Sequence, residues 1–332
     1  MKKRKSNNKR LIQTSKGSYY LGDAIKLLSD EMKDKLTGKV QLLLTSPPFP
    51  LNNKKSYGNL NGEAYKKWFS GLAELFSELI ADDGSIVIEI GNSWVKDRPV
   101  QSLLYLESLL RFVNNPIAKL RLCQEFICYN PSRLPSPAQW VTVNRIRTVD
   151  SFTHIWWMSK SDYPKANNKK VLRPYSESMK TLLRRQSFNA GKRPSEHRIG
   201  KEGFLKKHRG SIMHNVIELE QIDDDREVRL PHNMLSIANT KSNDYFMKAC
   251  RSKNIIPHPA RMPESLASFF IHFLTDKDDL VLDPFAGSNT TGYCAEKLGR
   301  RWLAFEQKKG YVAQALIRFD DPSLSCVIKR KK

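Results

Sequence analysis

Apolar residues in this chain fall into two patterns. Short continuous runs occur at 40–44, 85–91, 122–129, 152–158, 280–282 and 302–305. Their length and their Val, Ile, Leu and aromatic content predict strands covered on both faces. Between them the apolar positions recur at helical spacing. From 64 to 80 the set is Tyr65, Trp68, Phe69, Leu72, Leu75, Phe76, Leu79 and Ile80, one side of a long helix. Further helices fit 25–32, 100–113, 264–274, a segment starting at Thr290, and 310–318, and Tyr19–Asp23 reads as a short strand and turn. Strands and helices alternating in this way predict a doubly wound α/β fold. No internal repeat is present.

The pattern breaks in two places. Residues 50–62 are polar and rich in Asn and Gly, which predicts a loop. From Lys160 onward apolar residues thin out, and 160–210 carries 15 Lys or Arg against 4 Asp or Glu. That segment is poor core material and good phosphate-contact material. The expected organisation is a mobile basic arm (1–16), a first α/β part (17–159), a basic insertion suited to phosphate contacts (160–250), a second α/β part (251–320) and a basic tail (321–332). Within the insertion, Arg184, Arg185, Lys192 and Arg193 are the candidate backbone contacts.

Charge sharpens this reading. Fifty-six Lys and Arg face 34 Asp and Glu, a net charge of +22, which points to a polyanionic partner. The five cysteines form no CxxC pair and no zinc-spaced group with His, so reduced thiols and no metal are expected. Met1-Lys2-Lys3-Arg4-Lys5 has no apolar segment behind it, so no signal peptide is expected, and no run approaches the ~20 apolar residues of a membrane span. A cytoplasmic location follows as the expectation.

Two segments carry candidate chemistry, each directly after a strand run. Asp283-Pro284-Phe285-Ala286-Gly287-Ser288-Asn289-Thr290 leads into a helix. Gly287 permits close backbone approach, and the helix start directs N–H groups at a ligand. GxGxxG is absent and no P-loop Lys follows, which argues against NAD and ATP. Glu306 closes the next strand, where a carboxylate can accept both hydroxyls of a ribose. The other segment is Ser46-Pro47-Pro48-Phe49. Its two prolines fix successive φ angles and remove N–H donors, so carbonyls can accept from a ligand amino group while Phe49 stacks on a ring. In an open α/β sheet both segments belong at the carboxyl ends of strands, bordering one cleft.

The pair of motifs resembles the amino-methylating DNA methyltransferases that use S-adenosylmethionine. The order, catalytic motif before recognition region before cofactor loop, resembles their β group. Further likeness to the PvuII-type N4-cytosine group lies in Gly17–Asp23, Tyr57–Leu60, Asn130–Pro137, Trp156-Trp157, His258–Arg261 and Gly287–Gly292. The resemblance implies a permuted Rossmann-like methyltransferase sheet with an inserted basic target-recognition region. It implies methyl transfer to a base flipped out of duplex DNA, and a restriction endonuclease reading the same sequence without stable binding. Ser46 to Phe49 would hold the base. Asp283, Phe285, Ala286, Gly287, Ser288, Asn289, Thr290 and Glu306 would form the cofactor site, with Asp23 near the adenine and His258 near the methionine end. Glu89 and Tyr129 would sit beside the base, Tyr129 opposite Phe49. Ser at the head of the tetrapeptide is typical of cytosine-N4 enzymes, whereas Asp or Asn leans to adenine-N6.

Rival readings leave recognisable marks. C5-cytosine methylation needs a Cys nucleophile, usually in Pro-Cys, and no Pro-Cys occurs. Adenine-N6 methylation shares every feature except Ser46 and stays open. A basic DNA-binding protein with a degenerate cofactor site is opposed by the intact motifs.

Overall fold

The computed structural model describes residues 9–49, 60, 62–188, 191–192, 195–200, 202–218, 245–257, 261–322, 324 and 329–330. At its centre is a ten-stranded sheet. In chain order the strands are β1 (Lys9–Gln13), β2 (Gly17–Leu21), β3 (Val40–Thr45), β4 (Ile80–Ile90), β5 (Arg121–Tyr129), β6 (Phe152–Ser159), β7 (Val216–Glu218), β8 (Leu280–Asp283), β9 (Arg301–Glu306) and β10 (Lys329–Arg330). Across the sheet they lie in the order β7-β5-β6-β4-β3-β8-β9-β2-β1-β10. From β4 to β2 all neighbours are parallel, while β6 runs antiparallel to both β4 and β5.

The continuous apolar runs are explained by helices on both faces. Leu43, Ile86, Ile88 and Leu282 join Phe69, Phe76 and Phe112 under the helices Gly62–Leu79 and Leu104–Val113. Leu42, Leu44, Val87 and Val281 join Phe269 and Phe270 under Glu264–Leu274 and Thr290–Lys297. Each such side chain contributes about 1.5–3 kcal/mol of burial.

One feature of the topology positions the site. From β3 the chain crosses through Gly62–Leu79 to β4, and from β8 it crosses through Thr290–Lys297 to β9, on the opposite side. β3 and β8 are adjacent, with Val281 opposite Leu42 and Leu282 opposite Leu43. Chains that diverge from neighbouring strands open a crevice at their carboxyl ends. The Ser46 and Asp283 segments both leave the sheet there.

The structure corrects the expected organisation. Residues 9–13 are not part of a mobile arm: β1 pairs with β2, and Lys329–Arg330 of the expected tail pairs with β1. The start of the basic insertion is likewise tied to the catalytic fold. Lys165 pairs with Asp276 and Asp279, and Lys170 with Asp276, at the strand ends opposite the crevice. The insertion also supplies β7 to the main sheet. Helices that went unpredicted include Glu177–Arg185 and Tyr245–Ser252. The first buries none of its residues fully, and its apolar face is only Met179, Leu182 and Leu183 within a strongly basic stretch. The expected 25–32 helix is split into Ala24–Lys26 and a wider turn at Leu27–Glu31, and the 100–113 helix starts only at Leu104.

Candidate active site

A cleft of about 460 Å³ opens at the crevice. That is room for a drug-sized ligand. Its lining joins segments far apart in sequence: Gly22 to Ile25 after β2, Ser46 to Phe49 after β3, Asp283 to Ser288 after β8, and Glu306 to Lys308 after β9. Thr290, Thr291, Arg261, Met262 and Tyr311 also line it, and Tyr65 and Trp68 of the first long helix close one side.

The loop after β8 is held from beneath by Asp283. Its Oδ1 accepts from the Thr45 hydroxyl at 2.8 Å and from the Phe285 N–H at 3.1 Å, and its Oδ2 accepts from Thr291 at 2.7 Å. Burial is the main cause that pushes this carboxyl up to about 6, against the pull of those donors. The carboxylate therefore ties β3, β8 and the following helix together. Gly287 has φ 51°, a left-handed conformation in which a side chain is strained. Its carbonyl accepts from the buried Tyr19 hydroxyl at 2.9 Å, and its N–H donates to Glu306 Oε2 at 3.0 Å. Glu306 Oε1 accepts from the Lys308 N–H at 2.7 Å. The Gln307 N–H also donates to this carboxylate, whose two oxygens at the cleft wall form an acceptor pair that fits two ribose hydroxyls.

Asn289 plays a different part from the one expected. It is fully buried, does not line the cleft, and sits at φ 58° as the cap of Thr290–Lys297, accepting from Gly292 N–H at 3.1 Å. Asp23 does line the cleft, and its Oδ1 caps the following turn through Ile25 N–H at 3.0 Å. Phe285, Ala286, Gly287, Ser288 and Thr290 all line the cleft. His258 lies outside the described residues, while its neighbour Arg261 lines the cleft.

The proline clamp is braced from two sides. The Tyr65 hydroxyl donates to the Pro48 carbonyl at 2.9 Å. The Phe49 ring lies against Gly91, where an added Cβ would stand 2.7 Å from a ring carbon. Behind the clamp, the Ser46 hydroxyl hydrogen-bonds the carboxyl of Glu89, which also accepts from Thr153 at 3.1 Å. Glu89 is buried at the end of β4, and that burial pushes its pKa up to about 7, opposed by Thr153, Ser46 and the nearby Arg133 charge.

Tyr129 does not join this group. It ends β5, separated from β3 by β6 and β4, and is absent from the cleft lining. Arg184, Arg185 and Lys192 are exposed and distant in sequence from every cleft segment, and Arg193 lies outside the described residues. Sequence reading missed Tyr65, Trp68 and Gly91. The aromatics were hidden in a helical core pattern, although their place in the helix after the clamp was a usable signal.

Comparison with known proteins agrees with the geometry. A family model described as DNA methylase matches residues 40–316. Type II methyltransferase M.PvuII of Proteus hauseri is 40% identical over 314 residues, 94% of this chain and 86% of its own length. M2.DpnII of Streptococcus pneumoniae is 41% identical over 63 residues, 19% of this chain and 24% of its own. Among solved structures, PvuII DNA methyltransferase, called cytosine-N4-specific, superposes with TM-score 0.70 at 33% identity over 96% of this chain and 92% of that one. M1.HpyAVI in complex with SAM shares the fold, with TM-score 0.53 at 16% identity over 92% and 99%.

Proposed function

This chain belongs to the DNA methylase family, and we propose that it transfers a methyl group from S-adenosylmethionine to the exocyclic N4 of a cytosine rotated out of duplex DNA. The observation that carries this reading is the meeting of the Ser46–Phe49 clamp and the Phe285–Glu306 pocket in one cleft at the switch point of the sheet. Glu306 is suited to the ribose hydroxyls, the Phe285–Ser288 loop to the sugar and methionine, and Asp23 to the adenine amino group. When bound, the cofactor supplies a methyl carbon made electrophilic by its sulfonium.

The chain's own part is orientation and proton removal. A ring amine is a poor nucleophile because its lone pair is delocalised. Clamp carbonyls that hold its hydrogens turn that lone pair toward the methyl carbon, an alignment worth up to roughly 7–11 kcal/mol in favourable cases. As the nitrogen–carbon bond forms and the carbon–sulfur bond breaks, the amine becomes cationic and must lose a proton. Ser46 can take it while passing its own hydroxyl proton to Glu89. A buried carboxyl titrating near 7 is matched to that step. Phe49 stacks on the base.

Ser46 and the likeness to a cytosine-N4-specific enzyme over most of the chain favour cytosine over adenine. A restriction endonuclease that reads the same sequence would be the counterpart in the cell, meeting the DNA rather than this protein. Ser46→Ala tests the clamp: turnover on duplex DNA should fall ~100-fold, the usual scale for acid–base assistance, with cofactor affinity unchanged. Equal losses in both would place Ser46 in the cofactor site instead.

A further inference from the structure

Residues 130–151 connect β5 to β6, far longer than the roughly 2–5 residues of an ordinary hairpin loop. They leave the sheet at the catalytic edge. Glu89 of β4 and Phe126 of β5 both pair with Ile155 of the intervening β6, and Ile90 and Ile127 both pair with His154. β5 therefore runs alongside β4 in the same direction, and its loop rises beside the clamp.

The loop is braced at both ends. Asn130 closes a tight turn by accepting from Ser132 N–H at 3.0 Å, and Arg133 Nη1 donates to the Phe152 carbonyl at 2.9 Å. Farther along, Arg147 Nε and Nη2 both donate to the Pro99 carbonyl, at 3.0 and 2.7 Å. Yet this fixed loop turns large apolar side chains to solvent. Leu134 is 81% exposed and Val143 68%, with Ile146 and Val149 also open. Scattered exposed apolar residues are ordinary, but several on one braced loop beside an active cleft call for a partner.

Charge indicates which partner. Arg133, Arg145 and Arg147 stand in the loop against the single acid Asp150. Cations beside apolar side chains suit DNA whose base stack is being opened: the cations meet phosphate and the apolar group enters between bases. Leu134 is the best-placed wedge. It follows Arg133, whose charge acts on Glu89, and Glu89 holds Ser46. Leu134 thus stands next to the route a base must take into the clamp.

We propose that Leu134 enters the duplex beside the target as the wedge that favours extrusion of the base, with Arg145 on flanking phosphate. This rests on the reading that the protein methylates a base taken out of duplex DNA. It assigns the opening of the duplex to the 130–151 loop and not to the 160–250 region.

The test uses the site mapped by sequencing methylated plasmid, built into two duplexes, one with the target cytosine paired and one with it mispaired. A mispair removes part of the cost of extrusion. Leu134→Ala should lower kcat/KM about tenfold or more on the paired duplex but stay within about threefold of wild type on the mispaired one. Unchanged cofactor affinity checks the fold, and Leu134→Met should recover most of the loss. Equal losses on both duplexes, or none on either, would overturn the wedge. So would a wild-type dimer that Leu134→Ala dissociates, since the loop would then serve a second copy of the chain. Wild-type protein inert on both duplexes would instead remove the methylation reading, and the wedge with it.

Discussion

Glu89 is the residue at which stability and activity pull in opposite directions. Burial raises its pKa from an ordinary 4.5 to about 7, so between those values the folded protein holds a proton that the unfolded chain releases. Its contribution to stability is full below about 4.5 and is lost as pH rises through about 7. Above that, a charge sits in a buried site. Glu89→Gln should therefore raise the melting temperature by a few degrees at pH 8 and change it little at pH 4.5. The same variant should lose ~100-fold in turnover at pH 8, because an amide cannot take the proton. Wild-type turnover should climb as pH rises through about 7, where the carboxyl ionises. Thermal melts and single-turnover rates on one preparation check both signs. A less stable but fully active Glu89→Gln would show that the carboxyl serves packing alone.

At the scale of elements, the site depends on how helix Thr290–Lys297 begins. Asn289 accepts from the Gly292 N–H, and a Cβ on Gly292 would overlap both the Asn289 side chain and the Trp302 ring. Gly292→Ala should therefore lose the cap and push the helix off β9, costing on the order of 1–3 kcal/mol and weakening cofactor binding along with stability. Denaturant unfolding together with cofactor titration measures this, and an unchanged midpoint would mean that the helix start tolerates the methyl group. The strands from β5 to β2 across the sheet and this helix were legible in the sequence because continuous apolar runs and a turn-to-helix junction are local signals. So was the meeting of clamp and cofactor loop, since both follow strands that had to be buried. The roles of Asp283 and Asn289 were not legible. Both lie inside a cofactor motif, and only the geometry shows their side chains turned inward to hold the loop. β1 was hidden by its basic composition, and the place of Tyr129 outside the cleft lining was not legible because sequence gives no strand order.

For the whole molecule, the question is where the excess charge acts. The lysines at 165 and 170 are spent on Asp276 and Asp279 at the edge of the sheet away from the cleft. Arg184, Arg185 and Lys192 are exposed, with Arg184 and Arg185 in the last turn of their helix. Neutralising these three should make the log-log salt dependence of DNA affinity shallower by ~0.9 for each phosphate that is no longer neutralised. Neutralising Lys165 and Lys170 should leave that slope alone and lower stability instead. Affinity measured from low to moderate salt separates the two sets, and identical slopes for all three proteins would place the DNA surface elsewhere.

The most direct measurement is the identity of the product. Duplex DNA is incubated with the protein and S-adenosylmethionine labelled in its methyl group, then digested to nucleosides and resolved by mass spectrometry. The geometry of Ser46, Glu89 and Phe49 beside the Glu306 pocket predicts label in N4-methylcytosine, and almost none with Ser46→Ala at equal times. Label chiefly in N6-methyladenine would contradict the cytosine assignment, and no label in any base would contradict the account of the cleft.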